Sequence, residues 1–376
     1  CGRTHLVAAA IAVATAPGKH EPDDPVERGG AMNSELCRKF GIEFPLFAFS
    51  HCRDVVAEVS KAGGLGVLGA VQHTPEQLEV DLKWIDDHVE GKPYGIDLLI
   101  PKKMAHKGES QLTTADLEAE IPAEHRAHVE KLLEAHGIDT SDLWSGHYGS
   151  DYTNNMREGG ASELLDVAFA HPIALFVNAL GVPPASIIER CRGKGILVGA
   201  LTGAREHALK HAAAGVGILV VSGTEAGGHC GEISTMDVVP DLIEADKAYP
   251  GVHGDGRRRG VVRLGVADHR RGRDHADGEG EDAGRRPAPD RALALAHGHK
   301  PTRQLHSAWT DAWSGEGAPD PLPMPLQGLL SRPVMDKIDK LAAGGHEGEK
   351  QLATYYVGQA VGLMNSEQSV RSVVYD

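Results

Sequence analysis

Aromatic residues are scarce, at 5% of the 376 residues, so Leu, Val, Ile and Ala must fill any core. Cysteine is thin as well. The five thiols (Cys1, Cys37, Cys52, Cys191 and Cys230) are odd in number and lack CxxC spacing. That pattern argues against a disulfide framework and a cysteine-ligated zinc site, and it suits reduced thiols in a cytoplasmic protein. Positive charge is in deficit. A net charge of −15 excludes an extended nucleic-acid-binding surface. No apolar run reaches the about 20 residues that a membrane helix needs. What the chain does have is 41% hydrophobic residues and a length that an α/β barrel fills as one unit.

The N-terminal stretch reads as a leader. Leu6 to Ala16 (LVAAAIAVATA) has the apolar core of a signal peptide, but Met32 opens a coherent start, MNSELCRKFGIEFPLFAFS. Residues 1–31 are therefore expected to be disordered or non-native, ahead of a start at Met32.

From there short apolar strands alternate with helices. Pro45–Ser50 (PLFAFS) is a first strand, and Arg53–Ala62 is a helix stopped by Gly63-Gly64. Leu65–Ala70 (LGVLGA) is a second strand. Thr74-Pro75-Glu76 caps a helix running to about Val89. Tyr94–Ile100 (YGIDLLI) is a third strand. Three βα units in series predict a parallel sheet with right-handed crossovers. The rhythm then stops for residues 102–171, a charged, mostly helical insertion with helix formers at Thr114–His136 and Gly159–Ala170. An insertion at a strand's carboxyl end reads either as a lid or subdomain over a site, or as structural decoration.

The rhythm resumes with Ile173–Val177 (strand), Pro184–Cys191 (helix), Ile196–Leu201 (strand) and Gly203–Ala214 (helix). The sixth strand opens the stretch around which the chain is organised, VGILVVSGTEAGGHCGE (Val216–Glu232). Its β-branched run suits a strand buried on both faces. The glycines that follow suit a loop whose N–H groups approach a ligand closely. His229 closes the loop. In α/β folds ligands sit beyond the carboxyl ends of parallel strands, so this order places an acid/base group there. The alternative is a glycine-rich turn with a surface histidine.

An eight-stranded barrel needs two further strands after Met236, and they are not legible. Residues 249–299 are rich in Arg, Gly, His, Asp and Ala, and they read as disordered, as a basic tail, or as out-of-frame text. Writing Val261–His275 in GC-rich codons and reading one base later gives WCGSAWLTTAEAETT, ordinary protein text. The coding DNA across 245–305 decides between these. Lys300 onward (300–376) reads as a C-terminal extension with SAWTDAWS at Ser307–Ser314 and helices at about Val334–Ala343 and Glu349–Asn365. The expected architecture is a (β/α)8 TIM barrel over residues 32–248 with a helical insertion, a disrupted end after the sixth unit and a helical extension.

Taken in order, FGIEFPLF, AGGLGVLGA, YGIDLLI and EAGGHCGE resemble the nitronate monooxygenase (2-nitropropane dioxygenase) family of FMN-dependent TIM barrels, and KPTR…WTDAW resembles its longer members. The resemblance implies FMN at the barrel mouth, along the backbone of Ala48, Phe49 and Ser50. Asp97 stands where the family often has Asn, and Ser222, Ala226, Gly227 and Gly228 line the cofactor. It implies that His229 is catalytic, acting on a nitronate and dioxygen as acid/base and anion stabiliser. Three departures stand out. The first strand lacks Gln-Gly-Gly-Met-like text, Leu201 replaces a Lys of some relatives, and the seventh- and eighth-strand turns that cradle the FMN phosphate are missing. The other activities left open are an FMN-dependent NAD(P)H reductase acting on quinones or enoyl thioesters, and a catalytically dead remnant.

Several other residues carry weaker expectations. His51 and Cys52 are either substrate contacts or loop residues. Cys230 beside His229 suggests a Cys/His pair, but neighbours on an extended chain point apart. The histidines at 253, 269, 275, 297 and 299 fit no metal-ligand spacing, and no metal is expected. Arg257-Arg258-Arg259 lies among acidic residues. Tyr148, Tyr152 and Asn154 are either substrate contacts or solvated loop.

Overall fold

The computed structural model describes residues 7–14, 34–100, 114–145, 155, 158–248, 260–268, 302–323, 325–343, 346–359 and 368–375. The sheet is a closed barrel. Its frame is six parallel strands: β2 (Leu46–Ser50), β3 (Leu65–Gly69), β4 (Tyr94–Leu98), β5 (Leu175–Asn178), β6 (Leu197–Thr202) and β7 (Ile218–Val221). Each pairs in parallel with the next, in the order that the sequence rhythm predicts.

Closure differs from expectation. β9 (Gly260–Asp268) pairs in parallel with β7, within the segment read as lacking strands. Val261, Val262, Leu264 and Val266 give it the β-branched, apolar text that a strand needs. The last gap is filled from the other end of the chain. β1 (Val7–Ala14) pairs antiparallel with both β2 and β9, so part of the expected leader is a barrel strand. An apolar run of small and β-branched residues serves a strand as well as it serves a signal peptide. The disruption after the sixth unit thus takes a definite form: the eighth position is held by a strand running the wrong way.

The helices follow local signals. α1 (Glu35–Phe40), which the sequence reading did not anticipate, has Ser34 accepting from the Cys37 N–H (3.1 Å) and ends at Gly41 with φ +69°. α2 is Arg53–Lys61. α3 (Pro75–His88) has the expected N-cap Thr74, which also forms a capping box with Gln77. The insertion contains α4 (Thr114–Ala119), α5 (Ala123–Ala135) and α6 (Glu158–Ala168). α7 (Ala185–Gly193) and α8 (Arg205–Ala213) complete the fourth and fifth units, and α9 (Thr235–Ala248) follows the sixth strand. The extension holds α10 (Ala308–Ser314), α11 (Leu326–Ala343), α12 (Glu347–Leu352) and α13 (Val370–Tyr375). Here two expectations need correction. α11 begins well before Val334 and runs through Pro333, whereas α12 stops at Leu352.

Alternation along each strand divides the core. Tyr94, Ile96, Leu98, Phe176, Val198 and Val221 face outward against α3, α6, α7 and α8. Phe47, Leu65, Val67, Leu175, Val177, Ile218 and Val220 fill the barrel. A third cluster joins Leu117, Val129 and Leu133 of the insertion to Trp309, Trp313, Leu329, Leu330 and Ile338 of the extension. At about 1.5–3 kcal/mol for each fully buried large apolar side chain, this core holds the two segments together. His125 reinforces it, its Nε2 donating to the Asp320 carbonyl (2.8 Å). The α4–α5 part of the insertion is therefore a subdomain built with the extension, whereas α6 packs on α3 against the barrel wall.

Candidate functional site

The carboxyl ends of β2 to β7 define the barrel mouth. Asp97 lies on β4 with Gly69 and Val177 as its cross-strand partners. Its outward neighbours Ile96 and Leu98 belong to the outer layer, so the carboxyl faces the interior. Asp97 is 6% exposed; its backbone carbonyl accepts from the Ala70 N–H (3.0 Å), but its carboxyl has no hydrogen-bond or ion-pair partner among the described residues. Burial holds its pKa well above the usual carboxylate range. Burial disfavours the charged carboxylate, and a buried polar group is stabilised by a hydrogen-bonding partner.

His51 leaves the end of β2 and turns its ring over Gly69. A Cβ on Gly69 would come within 2.7 Å of the imidazole, so glycine is what admits the ring. Nδ1 donates to the Gly69 carbonyl (3.0 Å), and Phe49 packs edge-on at 5.0 Å. Because a carbonyl only accepts, Nδ1 carries the proton and Nε2 the lone pair of the neutral ring. Burial lowers the pKa against the pull of that carbonyl, and Arg332 and His73 lower it further. Arg332 was not anticipated from sequence. It stands on α11, donating to Gln72 Oε1 (2.7 Å) and pairing with Asp336, and no local motif marks it.

The remaining β2 residues divide by face. Ala48 packs outward on Val55 and Val59 of α2, leaving only its backbone toward the interior. Phe49 lines the barrel, and the fully buried Ser50 accepts from the Cys52 N–H (3.0 Å). Asn178 is another residue that sequence reasoning missed. Fully buried, it accepts from the Ile100 N–H (2.8 Å) and donates to Gly181 O (3.0 Å), tying the exits of β4 and β5 together.

The loop after β7 is built largely against protein. Ser222 donates to the His229 carbonyl (3.3 Å) and closes the loop on itself. Glu225 accepts from the Thr235 N–H with both oxygens (3.2 Å each) at the start of α9. Gly223 makes room for that contact. Gly227 lies against the Val357–Gly358 backbone, and Gly231 against the Ser222 carbonyl. Close backbone approach thus accounts for glycine at 227 and 231. Ala226 is fully buried in the interior cluster, and Gly228 takes φ +66° beside Tyr356.

Gly228–His229 form a short strand, β8, paired antiparallel with β10 (Thr302–Arg303). His229 is half-buried, and its Nδ1 lies 3.1 Å from Thr302 Oγ1. Cys230 packs instead on the interior cluster, and burial raises its thiol pKa despite Arg303. A thiol protonated at neutral pH is a poor nucleophile, which argues against a Cys/His pair. Cys52 is raised by burial too. Tyr148, Tyr152, Asn154, Arg257-Arg258-Arg259 and the histidines at 253, 269, 275, 297 and 299 lie outside the described residues.

Comparison with known proteins fits this arrangement. Residues 33–250 match the nitronate monooxygenase family. A Mycobacterium tuberculosis (strain ATCC 25618 / H37Rv) protein, Rv1533, described provisionally as a monooxygenase, is 41% identical over 362 residues, covering 92% of this chain and 95% of its own. The chain belongs to the nitronate monooxygenase family. This family member is an oxidoreductase of the monooxygenase kind. A Staphylococcus haemolyticus relative, described provisionally as a nitronate monooxygenase, is 25% identical over 229 residues, covering 56% of this chain and 57% of its own. Among solved structures, a nitroalkane oxidase from Streptomyces ansochromogenes superposes with a TM-score of 0.58 at 20% identity, over 86% of this chain and 90% of that one. That likeness bears on the fold alone. Among the described residues, no helix of this nitronate monooxygenase family member is long and apolar enough to cross a membrane.

Proposed function

We propose that the chain is a cytoplasmic, FMN-dependent nitronate monooxygenase that oxidises alkyl nitronates with dioxygen, and that His229 is its catalytic residue. The observation that carries this reading is an imidazole at the mouth of a parallel barrel, in a chain of this family, held by strand pairing rather than left on a free loop. A nitronate carries its charge on oxygen. A positioned imidazole stabilises that charge and exchanges a proton near neutral pH.

The ring end of a flavin fits the residues present. The buried Asp97 carboxyl has no hydrogen-bond partner among the described residues, and a heterocycle with polar edges would supply one. The backbone of Ala48, Phe49 and Ser50, the Asp97 carboxyl, and Ser222 with Ala226, Gly227 and Gly228 are the residues proposed to hold it. When bound, FMN supplies the electron transfer and oxygen chemistry that no side chain offers. The chain's own task is to bind the anion, present His229 to it and exclude water behind the apolar barrel.

Oxygen consumption with propionate 3-nitronate, without NADH, tests the reading. His229→Ala in the flavin-loaded protein is expected to abolish it. Unchanged turnover sinks the assignment of His229. Rapid anaerobic flavin reduction by NADH instead favours the reductase reading. A protein that stays colourless after FMN is added favours the catalytically dead one.

A further inference from the structure

We infer that Thr302 is a positioning residue for the His229 imidazole, so that the C-terminal extension completes the site at the barrel mouth. The inference rests on the proposed role of His229. The loop that carries His229 has little apolar side chain of its own, and its order comes from elsewhere. β10 lies directly alongside, with Thr302 opposite His229 and Arg303 opposite Gly228. Arg303 grips the same loop, Nε and Nη2 both donating to the Thr224 carbonyl (3.1 and 2.6 Å). Gln359 N–H donates to the Glu225 carbonyl (3.1 Å), and the Val357–Gly358 backbone presses on Gly227. Gln304 bridges to Tyr356, joining these two parts of the extension.

Within that clasp the only described side-chain pair between β8 and β10 is Thr302 Oγ1 with His229 Nδ1 at 3.1 Å. Thr302 is 1% exposed, so its hydroxyl has little access to water as a substitute partner. A hydrogen bond at one ring nitrogen fixes the plane of an imidazole and its tautomer, and so decides which edge meets a reacting group. Thr302 touches neither substrate nor cofactor in this role; it acts through His229. A residue 73 positions away along the chain thereby sets the proton inventory of the site.

The test uses Thr302→Val, which keeps the β-branched shape, and Thr302→Ser, which keeps the hydroxyl. The readouts are imidazole 15N spectra across pH, with and without flavin, and the pH profile of kcat/KM with propionate 3-nitronate. His229→Ala identifies the His229 resonances. Thr302→Val is expected to move the His229 titration by about half a pH unit and to lower kcat/KM about tenfold, the kinetic profile moving in the same direction. A fall in the titration means that the hydroxyl accepts from the ring, and a rise means that it donates. Thr302→Ser is expected to restore both readouts. An unmoved titration in a folded Thr302→Val protein overturns the inference. So does a mixture of both His229 tautomers in the unsubstituted protein, a measurement that needs no variant to fold. If the titration moves but His229→Ala still turns over nitronate, the proposed function falls while the pairing stands, so the two failures are separable.

Discussion

Replacing Asp97 with Asn isolates the cost of a carboxyl inside the barrel. Asp97 is 6% exposed, faces Gly69 and Val177 across the sheet, and its carboxyl has no partner among the described residues. Burial raises its pKa well above the ordinary value, which is about 3.9 in an unfolded chain. The folded state therefore holds this proton more tightly than the unfolded state does. Below the unfolded value both states are protonated and the penalty vanishes. As pH rises through the folded pKa, stability is lost. Asn has nearly the same shape and stays neutral. Asn is just as unpaired, so the cost of an unpaired polar group cancels and only the ionisation penalty differs, at about 1.4 kcal/mol for each pH unit between the unfolded and folded pKa. Asp97→Asn is expected to gain about 2 kcal/mol or more at pH 7.5 and close to nothing at pH 4. With a urea slope of about 2 kcal/mol per molar, a gain of about 2 kcal/mol moves the midpoint upward by roughly 1 M. Urea unfolding of the flavin-free protein at pH 4, 5.5 and 7.5, followed by tryptophan fluorescence, measures it. An offset independent of pH, or an Asn variant less stable at pH 7.5, refutes the reasoning.

Two further outcomes follow from the geometry. Gly227→Ala would place a Cβ 2.7 Å from the Val357 carbonyl carbon and 2.8 Å from Gly358 N, both backbone; a cost of about 1–3 kcal/mol is expected, with faster proteolysis of the C-terminal segment as the readout. His171 is half-buried, and that desolvation lowers its pKa, but bonds to Asp86 (2.6 Å) and Glu79 (3.1 Å) outweigh it and leave the pKa raised. Its contribution is therefore full below the unfolded pKa of about 6.5 and is lost as pH rises through the folded pKa. His171→Gln is expected to remove that part of the pH dependence of the thermal midpoint.

The six parallel strands were legible because each is a short apolar run fenced by helix caps and glycine. Thr74 with Gln77, and Gly63 after α2, are signals that act within a few residues. Besides β9, in the segment read as lacking strands, three elements escaped in whole or in part for physical reasons. α1 is too short to show a period. α11 runs through Pro333, where local rules end a helix. β1 becomes a strand only because β2 and β9 offer it free edges, which no local pattern announces. The site shows the same limit. His229 does follow the loop after β7, but the partners that fix it come from residue 302 onward. The glycines were noticed, but not that Gly227 also lies against the Val357–Gly358 backbone, a contact that spacing alone does not reveal.

The direction of β1 has a consequence for cofactor affinity. A flavin phosphate is best held by N–H groups at a strand's carboxyl end and the following helix N-terminus. In the eighth position that end faces away from the mouth, because β1 runs antiparallel to both neighbours. The strand that should deliver the phosphate turn presents its amino end there instead. Each charge-assisted hydrogen bond to a phosphate contributes about 1.5–3 kcal/mol, or roughly tenfold to a hundredfold in affinity. Without that turn, FMN is expected to bind less than about tenfold more tightly than riboflavin, which has the ring but no phosphate. Fluorescence titration of the flavin-free protein with both compounds measures the ratio. A preference for FMN of a hundredfold or more would show that other residues have assembled a phosphate cradle, and the closure of the barrel by β1 would then carry no cost for the cofactor.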